Sequence, residues 1–132
     1  MDNLKNLKSI KKNFNCILLI DDDPIANYLH LKILNDLNIA KRIDIVTNGE
    51  EALNYINKVC HPEIIFLDIN MPVMNGIEFL KEYNKIIPLP ESSICVLTSS
   101  EHLHDIANAE ELGINFYLNK PLCEEKLQLV LI

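Results

Sequence analysis

Glycine is scarce, with three in 132 residues. That leaves no loop of the G-x-G-x-x-G or P-loop kind, in which backbone amides cradle the phosphates of a nucleotide. Basic charge is short too. Twelve Lys and Arg stand against nineteen Asp and Glu, a formal charge of −7. Phosphate contacts need clustered cations, so nucleic acid is not expected as a direct partner. No apolar run approaches the roughly 20 residues of a membrane span, and no membrane is expected either. The four cysteines (Cys16, Cys60, Cys95, Cys123) are dispersed, without the paired spacing of a metal site. They read as reduced, partly buried residues of a cytoplasmic protein rather than as a disulfide framework. The histidines offer no ligand set. His102 and His104 are two apart and point to different faces of a helix, while His30 and His61 have no partners by spacing, so all four are expected at the surface.

What remains is a chain that is 48% apolar and 23% charged, the profile of one globular domain with no room for a second. Residues 1–13 stand apart. Lys5, Lys8, Lys11 and Lys12 accompany Leu4, Leu7 and Ile10 at helical spacing, and the continuous apolar segment of a secretory signal is missing. A flexible leader is expected there, with a short amphipathic docking helix as the alternative. Residues 14–132 form the domain.

Within the domain, apolar runs alternate with helical patterns. Strands are expected at Cys16–Ile20, Arg42–Val46, Glu63–Asp68, Ile94–Thr98 and Asn115–Asn119. Helices are expected from Pro24 to about Asn38, Gly49 to Val59, Gly76 to Lys85, Glu101 to Leu112 and Glu124 to Ile132. In the first helix Ile25, Leu29, Ile33 and Leu37 read as the apolar stripe. Pro88-Leu89-Pro90 reads as a loop, and Gly113 as a helix end. Five βα units without a break imply an α/β fold, a doubly wound parallel sheet with helices on both faces.

The polar residues fall at the carboxyl ends of those strands, where open α/β sheets keep their chemistry. Asp21, Asp22 and Asp23 follow the first strand, Asp68 the third, Thr98 and Ser99 the fourth, and Lys120-Pro121 the fifth. Asp23 before Pro24 reads as an N-cap with proline at the first helical position. Asp21, Asp22 and Asp68 repel one another unless a cation lies among them. A hard divalent ion such as Mg²⁺ takes oxygen ligands from such carboxylates. Carboxylates, a hydroxyl, a lysine and Mg²⁺ together suit phosphoryl transfer.

The segments Leu18-Leu19-Ile20-Asp21-Asp22-Asp23-Pro24, Phe66-Leu67-Asp68-Ile69-Asn70-Met71-Pro72-Val73-Met74-Asn75-Gly76, Val96-Leu97-Thr98-Ser99 and Asn119-Lys120-Pro121-Leu122 resemble the receiver domain of bacterial response regulators. The resemblance implies a flavodoxin-like (βα)5 fold with strand order 2-1-3-4-5. It implies a stand-alone phosphoacceptor of a two-component phosphorelay, a signalling domain rather than an enzyme. Asp68 would accept a phosphoryl group from a phosphohistidine on a sensor histidine kinase or histidine phosphotransfer protein. Asp21, Asp22, Asp68 and the backbone carbonyl of Asn70 would hold Mg²⁺. Lys120 would pair with the phosphoryl oxygens, its bond to Pro121 cis, and Thr98 would turn inward to one of them. Tyr117 stands at the aromatic switch position, with a static strand tyrosine as the alternative.

There are departures. Asn75-Gly76 replaces the commoner Asp-Gly, which the turn tolerates. Asn70 and Ser100 occupy positions that tune phosphoryl lifetime in this family. The last helix is short, and Leu127, Leu129, Val130, Leu131 and Ile132 cannot all face one core. The apolar surface left over suits a homodimer or a target protein on the face of the fourth helix, fifth strand and fifth helix, unless that end frays. Two other readings compete. A haloacid-dehalogenase-type phosphatase would share apolar-Asp21-x-Asp23 but needs an acidic motif beyond the lysine, which Glu124 and Glu125 at a helix start do not supply. A receiver-shaped module that never takes phosphate would be expected to lack one of the acids or Lys120.

Overall fold

The computed structural model describes residues 13–86, 92–99 and 103–131. The leader before Asn13, the Pro88-Leu89-Pro90 loop, Ser100, His102 and Ile132 lie outside the described residues, as does the side chain of His104. Long apolar runs become the inner strands. Phe14–Ile20 (β1), Ile64–Leu67 (β3) and Ser93–Thr98 (β4) are almost wholly buried, as strands covered on both faces must be. Ala40–Val46 (β2) and Phe116–Asn119 (β5) are more exposed and form the edges. All pairings are parallel, in the order β2-β1-β3-β4-β5. The helices are Pro24–Asp36 (α1), Gly49–Lys58 (α2), Gly76–Ile86 (α3), Leu103–Glu111 (α4) and Glu124–Val130 (α5). This is the expected flavodoxin-like fold, and most element ends fall within two residues of expectation.

Side-chain alternation along the strands divides the core in two. Leu18, Ile20, Ile65 and Leu67 pack under α2 and α3, against Tyr55, Ile56, Phe79 and Leu80. Ile17, Leu19, Phe66 and Leu97 pack on the opposite side, against Leu34 of α1 and Leu127 and Leu131 at the chain's end. Leu129 is 68% exposed, so the last helix does leave apolar surface uncovered.

Helix α1 corrects two expectations. Its buried residues are Ala26, Asn27, His30 and Leu34, whereas Ile25 is 71% and Leu29 49% exposed. Ile33 and Leu37 are partly buried against the core. The helix carries apolar residues all the way round, so spacing alone did not choose the inner face. His30, expected at the surface, is 2% exposed because it lies on that inner face. His61 is half-buried, its Nε2 3.4 Å from the Ser92 hydroxyl.

The strand order also positions the site. The chain leaves β1 to one side for β2, then crosses to the other side for β3, so a crevice opens at the carboxyl ends of β1 and β3. Ile20 lies beside Leu67 in register, and the Asp68 amide donates to the Ile20 carbonyl at 2.9 Å. The residues that follow each strand are thereby brought side by side.

Candidate functional site

Asp21 leaves β1 with its amide donating to the Val46 carbonyl at 3.0 Å. Its side chain is shared. Oδ1 accepts from the Asp23 amide at 3.0 Å, and Oδ2 lies 2.6 Å from Lys120 Nζ. Asp23 caps α1 by accepting from the Ile25 amide at 3.0 Å, with Pro24 at the first helical turn. Asp22 is left exposed. Asp21, Asp22 and Asp68 each offer a carboxylate oxygen within 4.8 Å of the others. Three hard oxygen donors so close suit a small divalent cation.

Asp68 is 6% exposed. Burial, and then the neighbouring Asp21 carboxylate, push its pKa up to about 6, against Lys120, the Thr98 hydroxyl and the Ile69 amide, which favour the charged form. Thr98 is fully buried, and its hydroxyl is one of the groups that favour the charged form of Asp68. Lys120 is held next to Thr98 by its amide, which donates to the Thr98 carbonyl at 3.0 Å. Its ammonium sits nearer Asp21 than Asp68, from which it is 3.8 Å away. The Lys120-Pro121 peptide is cis. Tyr117, half-buried on β5, packs against the α2–α3 side of the core.

The loop after Asp68 is tightly folded. Asn75 and Glu78 form a reciprocal capping box, each side chain accepting from the other's amide at 2.9 and 3.1 Å. That is how asparagine serves in this turn. The Gly76 amide donates to the Ile69 carbonyl at 2.8 Å, and a Cβ on Gly76 would lie 2.5 Å from the Asp68 carbonyl oxygen. Only glycine allows that approach. Asn70, exposed, follows on the same loop.

Asn27 and His30 were missed by sequence reasoning. Both lie on the buried face of α1, and both line a small cavity with Asp21 and Asp68. The only signal was a polar pair three apart in a helix with more apolar residues than one face can hold. On its outer side α1 borders a groove of about 210 Å³ lined by Ile25, Leu29, His30, Lys120 and Pro121.

Comparison with known proteins agrees with this fold. Residues 17–132 match the family model described as the response regulator receiver domain. The chain is 33% identical to two-component response regulator 24 of Arabidopsis thaliana over 86% of its own length and 79% of that protein's. It is 36% identical to protein-glutamate methylesterase/protein-glutamine glutaminase 2 of Vibrio vulnificus over 80% of this chain, but spans only 30% of that protein. Among solved structures, a two-component response regulator from Cytophaga hutchinsonii superposes with a TM-score of 0.80 at 35% identity, covering 88% of this chain and 92% of the other.

Proposed function

The chain belongs to the response regulator receiver family, a family of signalling domains, and on that premise we propose that Asp68 is the phosphoacceptor of a two-component relay. The observation that carries the reading is the joint placement of Asp21, Asp22 and Asp68 within 4.8 Å, with Lys120 between two of them. One oxygen of Asp68 attacks the phosphorus of a phosphohistidine. The P–O bond forms as the P–N bond breaks, and the electron pair returns to the imidazole. Asp21, Asp22, Asp68 and the Asn70 backbone carbonyl are the groups to hold Mg²⁺, which when bound offsets charge on the transferred oxygens. Lys120 exchanges its ion pair with Asp21 for the new phosphoryl oxygens. The Thr98 hydroxyl moves its hydrogen bond from the carboxylate to one of those oxygens, and Tyr117 follows into the space released.

A sensor kinase or phosphotransfer protein is the donor this surface suits. Ile25, Tyr28 and Leu29 expose an apolar face beside Asp23 and Lys120, which a protein donor can cover and a small phosphodonor does not need. Output then passes by contact through α4, β5 and α5, where Leu129 offers apolar surface to a target or a second copy. Incubation with acetyl phosphate, followed by intact-protein mass, tests the reading. One Mg²⁺-dependent phosphoryl group, absent from Asp68→Asn, is expected. An unmodified wild-type protein, or a phosphorylated Asp68→Asn, would refute the assignment.

A further inference from the structure

Asn27 is 6% exposed, near the start of α1. Its Nδ2 donates to the backbone carbonyl of Asp21 at 2.8 Å. That bond settles which way the amide faces, because turning it over would set one carbonyl oxygen against another. Its Oδ1 is then enclosed with no hydrogen-bond partner among the described residues. A buried amide oxygen in that position is costly, and native proteins commonly satisfy such groups with ordered water.

The surroundings suit one water molecule. Asn27, Asp21, His30 and Asp68 line the polar side of a cavity whose remaining wall is apolar strand residues. Its volume is about 10 Å³, close to the room a single water centre needs. His30, 2% exposed, lines both this cavity and the outer groove, and so stands between the two.

We propose that this cavity is a water site, in which one molecule donates a hydrogen to Asn27 Oδ1 and the other to the Asp68 carboxylate, making Asn27 a positioning residue for the phosphoacceptor. The water adds a donor to the groups that already favour the charged form of Asp68, Lys120 and the Thr98 hydroxyl among them. A carboxylate held from several sides presents a fixed oxygen to an incoming phosphorus atom. The water stands on the cavity and the orphaned amide alone; its consequence for rate rests on the reading of Asp68 as phosphoacceptor.

Crystal structures that resolve waters, of the wild type and of Asn27→Leu, test the site. Phosphorylation by acetyl phosphate at saturating Mg²⁺ tests the role. The wild type is expected to show one water within hydrogen-bond reach of Asn27 Oδ1 and Asp68, and Asn27→Leu none. The maximal phosphorylation rate of Asn27→Leu should fall at least about tenfold, the worth of the water's hydrogen bond to a charged group, with the Asn27–Asp21 bond lost besides. The acetyl phosphate concentration for half-maximal rate should not move. A dry cavity in the wild type, or an Asn27→Leu maximal rate equal to the wild type's, overturns the proposal. If Asn27→Leu does not fold, Asn27→Ala, smaller and compatible with a helix, carries the rate readout with the same expected loss. A wild type that holds the water yet takes no phosphoryl group supports the site and overturns the reading of Asp68 and with it the positioning role.

Discussion

Helices α1 and α3 cover opposite faces of one sheet and distribute their side chains in opposite ways. In α3, Phe79, Leu80 and Tyr83 are at most 1% exposed, while Glu78, Lys81 and Asn84 face solvent. In α1 the buried set includes Asn27 and His30, and Ile25, Tyr28 and Leu29 are 49–71% exposed. A helix that only covered a sheet would follow α3. α1 turns polar groups toward the acidic cluster, and its apolar groups border the groove above it. In α1, unlike α3, the face toward the acidic cluster is the one inside, although it carries Asn27 and His30.

Core truncations are the strongest way to break the comparison. Phe79→Ala on α3 should cost about 3–5 kcal/mol and Leu80→Ala about 2–5 kcal/mol in urea unfolding, through lost burial and the cavity left behind. Leu34→Ala, at a fully buried α1 position, should cost about 2–5 kcal/mol by the same mechanism. A Leu34→Ala with no loss would mean that α1 is not anchored as its burial implies.

The next effect concerns the polar side of the contrast and its pH dependence. The Asp68 carboxyl is pushed from the ordinary 3.8 up to about 6, so the folded protein holds that proton more tightly than the unfolded chain does. The sign follows from linkage: stability falls as pH rises between those two values, and nothing further is lost above them. At roughly 1.4 kcal/mol per pH unit the full effect is on the order of 2–3 kcal/mol without a divalent ion. Asp68→Asn should therefore be more stable than the wild type in urea at neutral pH, and about equal to it near pH 4. Mg²⁺ should narrow the neutral-pH difference by stabilising the wild type more than the variant, which lacks one carboxylate of the cluster.

Two glycines sharpen the distinction between site and scaffold. In Gly76→Ala the new Cβ would meet the Asp68 carbonyl oxygen at 2.5 Å and Ile69 Cα at 2.9 Å, and both are backbone atoms that must shift. A stability loss of about 2 kcal/mol is expected, with a much larger loss of phosphorylation, because the displaced backbone carries the carboxylate proposed as acceptor. Gly113 has φ +87 and open space around its Cβ position. Gly113→Ala should cost about 1 kcal/mol through left-handed strain alone, with phosphorylation rate unchanged.

The strand ends were legible because period and polarity agreed there. Apolar runs ending in Asp21, Asp68, Thr98 and Lys120 can be placed from chain order alone, and the parallel sheet brings them together. The capping role of Asp23 was legible too, since an acid before proline is a local signal. The face of α1 was not. Ile25, Leu29, Ile33 and Leu37 make a good stripe in isolation, and only the approach of the helix to Asp21 shows why Asn27 takes the inner position. Nor could sequence show that Asp21 and Lys120 form an ion pair at 2.6 Å, or that the Thr98 hydroxyl acts on the Asp68 carboxyl. Those are matters of side-chain reach across strands distant in sequence.

The smallest effect on stability carries the most about function. Ile25 is 71% exposed, so Ile25→Ser should change unfolding free energy by less than about 0.5 kcal/mol. If the outer face of α1 receives a protein donor, the same variant should slow phosphotransfer from a phosphorylated histidine protein about tenfold, the loss of roughly 1.4 kcal/mol of interface contact. Its phosphorylation by acetyl phosphate should be unchanged, because a small donor needs no apolar surface. Loss with both donors would place Ile25 in the site's own support, and α1 would then differ from α3 only in what it buries. Loss with neither would leave the exposed face without a role in transfer.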